Sequence, residues 1–167
     1  MHSCDGVFYF ERERQLLTRQ INYFPFTATA AETIIAAALA HAKDAKFKPL
    51  GIVVLDARGT VKAVSIADGS SLARFDIARG KAKGALAFNM GTRGLEKLAK
   101  DRPHFFAGVA SVVAGGLVPL PGGVLIKDKD GMVLGAVGVT GDTSDNDEIA
   151  AIAGVAAAGL VGDGGTG

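Results

Sequence analysis

Residues 50–67, LGIVVLDARGTVKAVSIA, predict the first hairpin of an antiparallel sheet. One apolar run ends at Asp56, and a second, alternating run starts at Thr60. The turn between them has Asp56 in its first position and Gly59 in its fourth, where these residue types are favoured. All residues from 52 to 55 are apolar, so we expect this strand to be covered on both faces.

A second hairpin is predicted by residues 122–139, GGVLIKDKDGMVLGAVGV, with its turn at Asp130-Gly131. Helical patterns lie before, between and after the two hairpins, and the strands do not come as βαβ repeats. The sequence therefore predicts an α+β protein, in which an antiparallel sheet of about five strands has helices packed on both faces.

Capping residues predict where the longer helices begin. The first helix is expected to start at Thr29, because Glu32 follows it at the capping-box spacing. Ser70 or Ser71 is expected to cap a long second helix, and Thr143 is a capping candidate for the last one.

Composition divides the chain into three segments. Residues 1–26 are aromatic and rich in arginine without a clear period, and we interpret them as an N-terminal arm. Residues 27–161 form the predicted domain. The last segment, 162–167, reads GDGGTG and is predicted to be a disordered tail.

The bulk composition excludes several classes of function. A chain of 167 residues has the length of one domain, and its net charge of +1 favours neither nucleic acid nor an anionic membrane as a partner. Apolar runs are too short or too interrupted to span a membrane, and the acidic N-terminal stretch is not typical of a secretory signal. The single cysteine, Cys4, suits a reducing compartment, so a cytoplasmic protein is predicted.

Sequence motifs do not identify a catalytic centre. The GxGxxG, Walker-type and GxSxG patterns are absent, and no cysteine or histidine pair has the spacing of metal ligands. Catalytic residues therefore stay unknown, and no metal site is predicted.

Two features remain as candidate ligand contacts. His104 follows Pro103 at a predicted helix start, where it could bind a ligand or transfer a proton, or could be an ordinary surface histidine. Gly122 and Gly123 follow a proline before a buried strand. Their backbone N–H groups could face a ligand, or the loop could be a tight turn only.

The long second helix has a charged side that includes Asp76 and Lys81. The simple interpretation is a helix face in solvent. The alternative is that Gly80 and Gly84 allow close packing at a subunit interface, where Asp76 and Lys81 would border a pocket.

Three stretches resemble the GlcG/HbpS-like family of small haem-associated proteins, which also supplies the C-terminal domain of the PduO corrinoid adenosyltransferases. They are VVLDARGTVKAV at 53–64, FDIARGKAKGAL at 75–86, and VPLPGGVLIKDKDGMVLGAVGVTGDTSDNDEIAAIAG at 118–154. The resemblance implies a profilin-like or roadblock-like fold that forms homodimers and larger rings such as octamers. Members are associated with haem binding, haem degradation or redox sensing, so the resemblance implies either haem as the cofactor or no cofactor.

Residue by residue, the resemblance points to Asp76, Lys81, Gly122 and Gly123 as ligand-binding positions. The loop before the first strand, where haem-binding relatives can have a histidine, has none here, which makes His104 the substitute candidate.

The function predicted from these observations is a cytoplasmic, homo-oligomeric small-molecule-binding protein whose ligand is haem or another planar conjugated acid. The alternative is a small enzyme of aromatic or hydroxy-acid catabolism that transfers a proton through His104 or Asp76.

Overall fold

The computed structural model describes residues 26–165. The helices in this part of the chain are α1 (Ala28–Asp44), α2 (Arg74–Phe88), α3 (Thr92–Asp101), α4 (Pro103–Val112) and α5 (Ser144–Ala157). The strands are β1 (Gly51–Asp56), β2 (Val61–Ile66), β3 (Gly123–Lys127), β4 (Val133–Thr140) and β5 (Val161–Asp163).

The strands form one antiparallel sheet with the order β2-β1-β4-β3-β5. Both predicted hairpins are confirmed, as β1–β2 and β3–β4. The first strand of one hairpin pairs with the second strand of the other, so β1 and β4 are neighbours at the centre. This arrangement confirms the predicted α+β class.

Helices cover the sheet on both faces, as predicted. Ile52 and Val54 lie in a core formed with α1 and α5, whereas Val53 and Leu55 lie in a second core formed with α2. All four side chains are buried, which confirms that β1 is covered on both sides. The sheet is thus the middle layer between one helix and a pair of helices.

Two of the three predicted helix caps are wrong. Helix α1 is capped by Thr27, whose Oγ1 accepts a hydrogen bond from Ala30 N at 3.1 Å, and Thr29 lies inside the first turn. Helix α2 begins after Ala73, which supplies no side-chain cap, so neither predicted serine has that role. Only the expected cap of α5, Thr143, is confirmed.

Both predicted domain boundaries need correction. Phe26, assigned to the arm, is buried in the α1–α5 core, and residues 1–25 lie outside the described part of the chain. At the other end, β5 pairs with β3, and the Asp163 carboxylate accepts a bond from Lys127 Nζ at 2.6 Å. The expected disordered tail is therefore wrong for residues 162–165. A strand of three residues has too little pattern to be recognised locally.

Helix α2 packs closely on the sheet because small residues face each other there. A Cβ placed on Gly138 of β4 would lie 1.8 Å from the carbonyl oxygen of Ala78. The helix glycines serve contacts within the chain, since Gly80 packs against Val118 and Gly84 against Leu95. Their small size is thus explained by intrachain packing, without the subunit interface that the sequence suggested for them.

We expect Gly138→Ala to lower the free energy of unfolding by about 3 kcal/mol, because the new methyl group would push α2 away from the sheet. The matched control is Gly108→Ala in α4, where a Cβ would meet no atom within 4 Å. That control should raise stability by up to about 1 kcal/mol through helix propensity. Urea unfolding measures both, and equal effects would contradict this account of the packing.

Candidate functional site

Three of the five residues singled out as ligand contacts come together at one end of β3 and β4. Lys81 reaches this place from α2, Gly123 is the first residue of β3, and Gly122 directly precedes it. The other two, Asp76 and His104, are exposed on α2 and α4. The structure thus brings together only part of the predicted set.

Lys81 is the only lysine or arginine with a fully buried side chain among residues 26–165, with 2% exposure. Its Nζ donates one hydrogen bond to Asp147 Oδ2 at 2.8 Å and another to the Val139 carbonyl oxygen at 2.9 Å. Lys81 belongs to a helix on one face of the sheet and Asp147 to a helix on the other face. This ion pair therefore connects the two outer layers of the domain.

Asp147 is as buried as its partner, and its second carboxylate oxygen accepts a bond from Asp142 N at 3.0 Å. Burial raises the pKa of Asp147 and lowers the pKa of Lys81, because removal from water disfavours both charged forms. The ion pair opposes both shifts, whereas nearby Arg74 lowers the pKa of Lys81 further. The short, hydrogen-bonded geometry of the ion pair offsets the large free-energy cost of removing both charges from water.

The two loop glycines provide the space that the lysine needs. Gly122 has a φ of +116°, and a Cβ there would lie 2.6 Å from Val139 O and 2.9 Å from Lys81 Nζ. At Gly123, a Cβ would lie 2.5 Å from both the Lys81 carbonyl oxygen and Thr92 Cγ2. No larger residue fits either position without displacing the helix or its amine.

The backbone of Gly123 is already bonded within the chain. Its N–H donates to Thr92 Oγ1 at 2.7 Å, and its carbonyl oxygen accepts from the same hydroxyl group at 3.1 Å. Thr92 is fully buried at the start of α3. This amide is therefore used to attach α3 to the sheet, and its predicted contact with a ligand stays a prediction.

A second polar cluster, which the sequence does not predict, lies next to this pair. Arg93 donates hydrogen bonds to the buried carboxylate of Glu148 and to Asp145 Oδ1, the latter at 2.5 Å. These bonds raise the pKa of Arg93. Glu148 Oε1 has no hydrogen-bond partner among the described residues and lies against Gly164. In the sequence, these acids could be interpreted only as residues of a helix start.

Asp142 organises the loop between β4 and α5. Its carboxylate accepts hydrogen bonds from the backbone N–H groups of Lys48 and Thr143 and from Asn146 Nδ2. The bond from Lys48 is the main cause that lowers the pKa of Asp142 to about 2. This loop fixes the first turn of α5, on which Asp147 lies.

His104 lies on a helix that is unusual for its exposure. None of the residues of α4, all of which are described, is buried, although the segment PHFFAGVASV has no charged residue. Phe106 stacks on Phe88 with ring centroids 6.3 Å apart, and the Arg102 guanidinium lies 4.5 Å from the centre of the Phe105 ring. The opposite end of the helix is open, and Val112 is 78% exposed.

The described residues contain neither a cluster of metal ligands nor a helix that could span a membrane. Between residues 26 and 165, no group of three or more histidine, cysteine or acidic side chains could hold a metal ion. None of the helices in that range has both the length and the apolar character needed to cross a bilayer.

Comparisons with known proteins agree with the fold and identify the family of the chain. Residues 26–156 match the profile of the family described as haem degrading protein HbpS-like. A search of curated proteins finds no match.

Solved structures with the same fold include three that are informative. The complex of PduOC with haem has a TM-score of 0.72 and 23% identity, over 81% of this chain and 96% of that one. A double mutant of HbpS from Streptomyces reticuli has a TM-score of 0.68 and 28% identity, over 78% and 85%. Protein ORFY of Klebsiella pneumoniae has a TM-score of 0.71 and 23% identity, over 80% and 90%.

The buried pair generates a prediction on stability. Lys81→Met and Asp147→Leu should each lower the free energy of unfolding by about 3–5 kcal/mol, because each leaves an unpaired buried charge. The double variant should lose less than the sum of the two, which urea unfolding of the four proteins measures.

The exposed pair of Lys97 with Asp101 on α3 is the control. Lys97→Met should cost less than about 0.5 kcal/mol. Additive losses in the double variant of the buried pair would contradict a coupled ion pair.

Proposed function

We propose that this chain, which belongs to the family of HbpS-like haem-degrading proteins, is a homo-oligomeric small-molecule-binding protein whose ligand is haem or a similar planar conjugated acid. The observation that carries the proposal is the family match over residues 26–156. We further propose a cytoplasmic location, for which the support is the presence of a single cysteine in 167 residues.

The exposed surface of α4 fits a planar ligand better than the surroundings of the buried Lys81–Asp147 ion pair do. The side chain of Lys81 is buried, and Gly122 and Gly123 lie directly against this lysine. In this proposal the three residues fix the start of β3 and act on the ligand only indirectly. His104 and Phe105, in contrast, are both exposed, and Phe105 retains 42% of its accessible surface. An aromatic side chain beside an exposed imidazole offers an apolar wall and an iron ligand together.

The helix also leaves room for a flat ring. Gly108 lies one turn after His104, and a Cβ at that position would meet nothing within 4 Å. We propose that His104 ligates the iron and that Arg102 faces a carboxylate of the ligand. Bound haem would supply redox-active iron at this surface. The carboxylate of Asp76 makes no hydrogen bond or ion pair with a side chain or backbone group of residues 26–165, so it stays a candidate contact.

Haem titration followed by Soret absorbance tests this function. The wild type should show a saturable Soret shift, and His104→Ala should weaken binding by about tenfold or more at an unchanged melting temperature. His41→Ala is the matched control. His41 lies in α1 and packs edge-on against Phe47, so this variant should bind haem as the wild type does. No Soret shift in the wild type would refute haem binding, and full binding by His104→Ala would refute the role of that residue.

Assembly of identical chains is the second part of the proposal. Support comes from the edge strand β2, on which Val61, Val64 and Ile66 keep about two fifths of their surface exposed. We propose that a second copy covers this strand, as in a homodimer or a larger ring such as an octamer.

Light scattering at micromolar concentration should therefore detect a dimer or larger species. Val64→Glu should shift the population to smaller species, because it places a charge in the contact. Met132→Glu at the tip of the β3–β4 hairpin is a control at a more exposed apolar side chain and should not change the mass. A monomeric wild type would contradict the assembly.

A further inference from the structure

Two cationic side chains of α2 meet at one glycine of the loop that follows α4. The Cβ position of Gly115 lies 3.2 Å from Lys83 Nζ and 3.6 Å from Arg79 Nη2. Arg79 and Lys83 are one helical turn apart, and both are half-buried. Two positive charges thus share a small volume at the junction of α2 and the loop.

No acidic side chain between residues 26 and 165 lies within ion-pair distance of either cation. Lys83 Nζ donates to the carbonyl oxygen of Ala114, and this is its only hydrogen bond within that range. Asp76 lies one turn before Arg79 but does not reach it. Like charges at this spacing on a helix repel each other, which an anion between them would reverse.

The loop beside these cations is bonded to α2 and has open space at Gly116. Gly115 and Gly116 both have left-handed backbone conformations, with φ of +82° and +76°, which residues with a side chain rarely adopt. The loop ends at Val118, whose N–H donates to the Gly80 carbonyl oxygen at 3.2 Å. A Cβ at Gly116 would meet no atom within 4 Å, so the loop leaves space for a ligand group.

We propose that Arg79, Lys83 and the loop at Gly115 and Gly116 form an oxyanion-binding site. A planar guanidinium and an ammonium group in one place suit a carboxylate or a phosphate group of a small ligand. The site lies after the last turn of α4, whereas His104 lies in the first turn. It does not depend on haem and would bind inorganic anions without it.

The test is a pair of NMR titrations of the full chain, one with sodium acetate and one with sodium phosphate, at an ionic strength held constant with sodium chloride. We expect saturable shifts of the Gly115 and Gly116 amide signals and of the Arg79 side-chain N–H. The anion that binds more tightly identifies the ligand group as carboxylate or phosphate.

Arg79→Gln and Lys83→Gln should each weaken this binding by about tenfold. Lys97→Gln removes the same charge from the exposed face of α3 and should leave the affinity unchanged. Shifts that do not saturate with either anion, or that persist at full affinity in both α2 variants, would overturn the proposal. Circular dichroism and melting temperatures confirm that the variants are folded.

Discussion

The ion pair between Lys81 and Asp147 is the contact on which the three-layer arrangement depends. The lysine extends from the single helix on one face, and the aspartate comes from the helix pair on the other. Their meeting point lies where β3 begins, next to the backbone of Val139. A buried pair of this kind adds little to stability relative to apolar residues, but it penalises every arrangement that separates its partners. It therefore specifies how the two outer layers align.

The rest of the sequence around this pair is adapted to the narrow gap between the layers. Small residues face each other where α2 crosses β4, and glycines stand where the lysine amine and the α3 threonine approach the backbone. Thr92 bonds both backbone groups of Gly123, so α3 is attached at the same point. The ion pair, the glycines and the threonine are thus parts of one junction between the sheet and the helices α2, α3 and α5.

Much of the fold could be predicted because its signals are local. The hairpins are indicated by apolar runs that flank short turns, and β1 is apolar at each position from 52 to 55. Helix caps were less certain because hydroxyl residues occur in clusters. Thr27 and Thr29 both stand at the helix start, and the structure shows the capping bond at Thr27. The three-residue strand β5 is defined by its partner β3 and by no pattern of its own.

The junction itself could be predicted only in part. The sequence predicts Lys81, Gly122 and Gly123 as candidate ligand contacts, from the charged side of α2, from the glycine loop before β3 and from the resemblance to a family. It does not predict that all three lie at the ion pair. Asp147 was interpreted as one acid of a helix start, since a pairing across 66 residues is visible only after the strand order is known. Helices and strands have local signals in a sequence, whereas the long-range contacts between them have none.

The packing of residues 164 and 165 has a consequence for how the chain is made. The N–H of Arg93, in the first turn of α3, donates to the carbonyl oxygen of Gly164, and Gly165 lies against Gly91 and Gly94. A ribosome releases the helix long before it releases these glycines. During synthesis, the first turn of α3 therefore lacks its bond to Gly164 until the chain has emerged to residue 165. Until then β3 also lacks its outer neighbour β5. The nascent domain can assemble the central strands early, but the cap of α3 and the outer neighbour of β3 are added last.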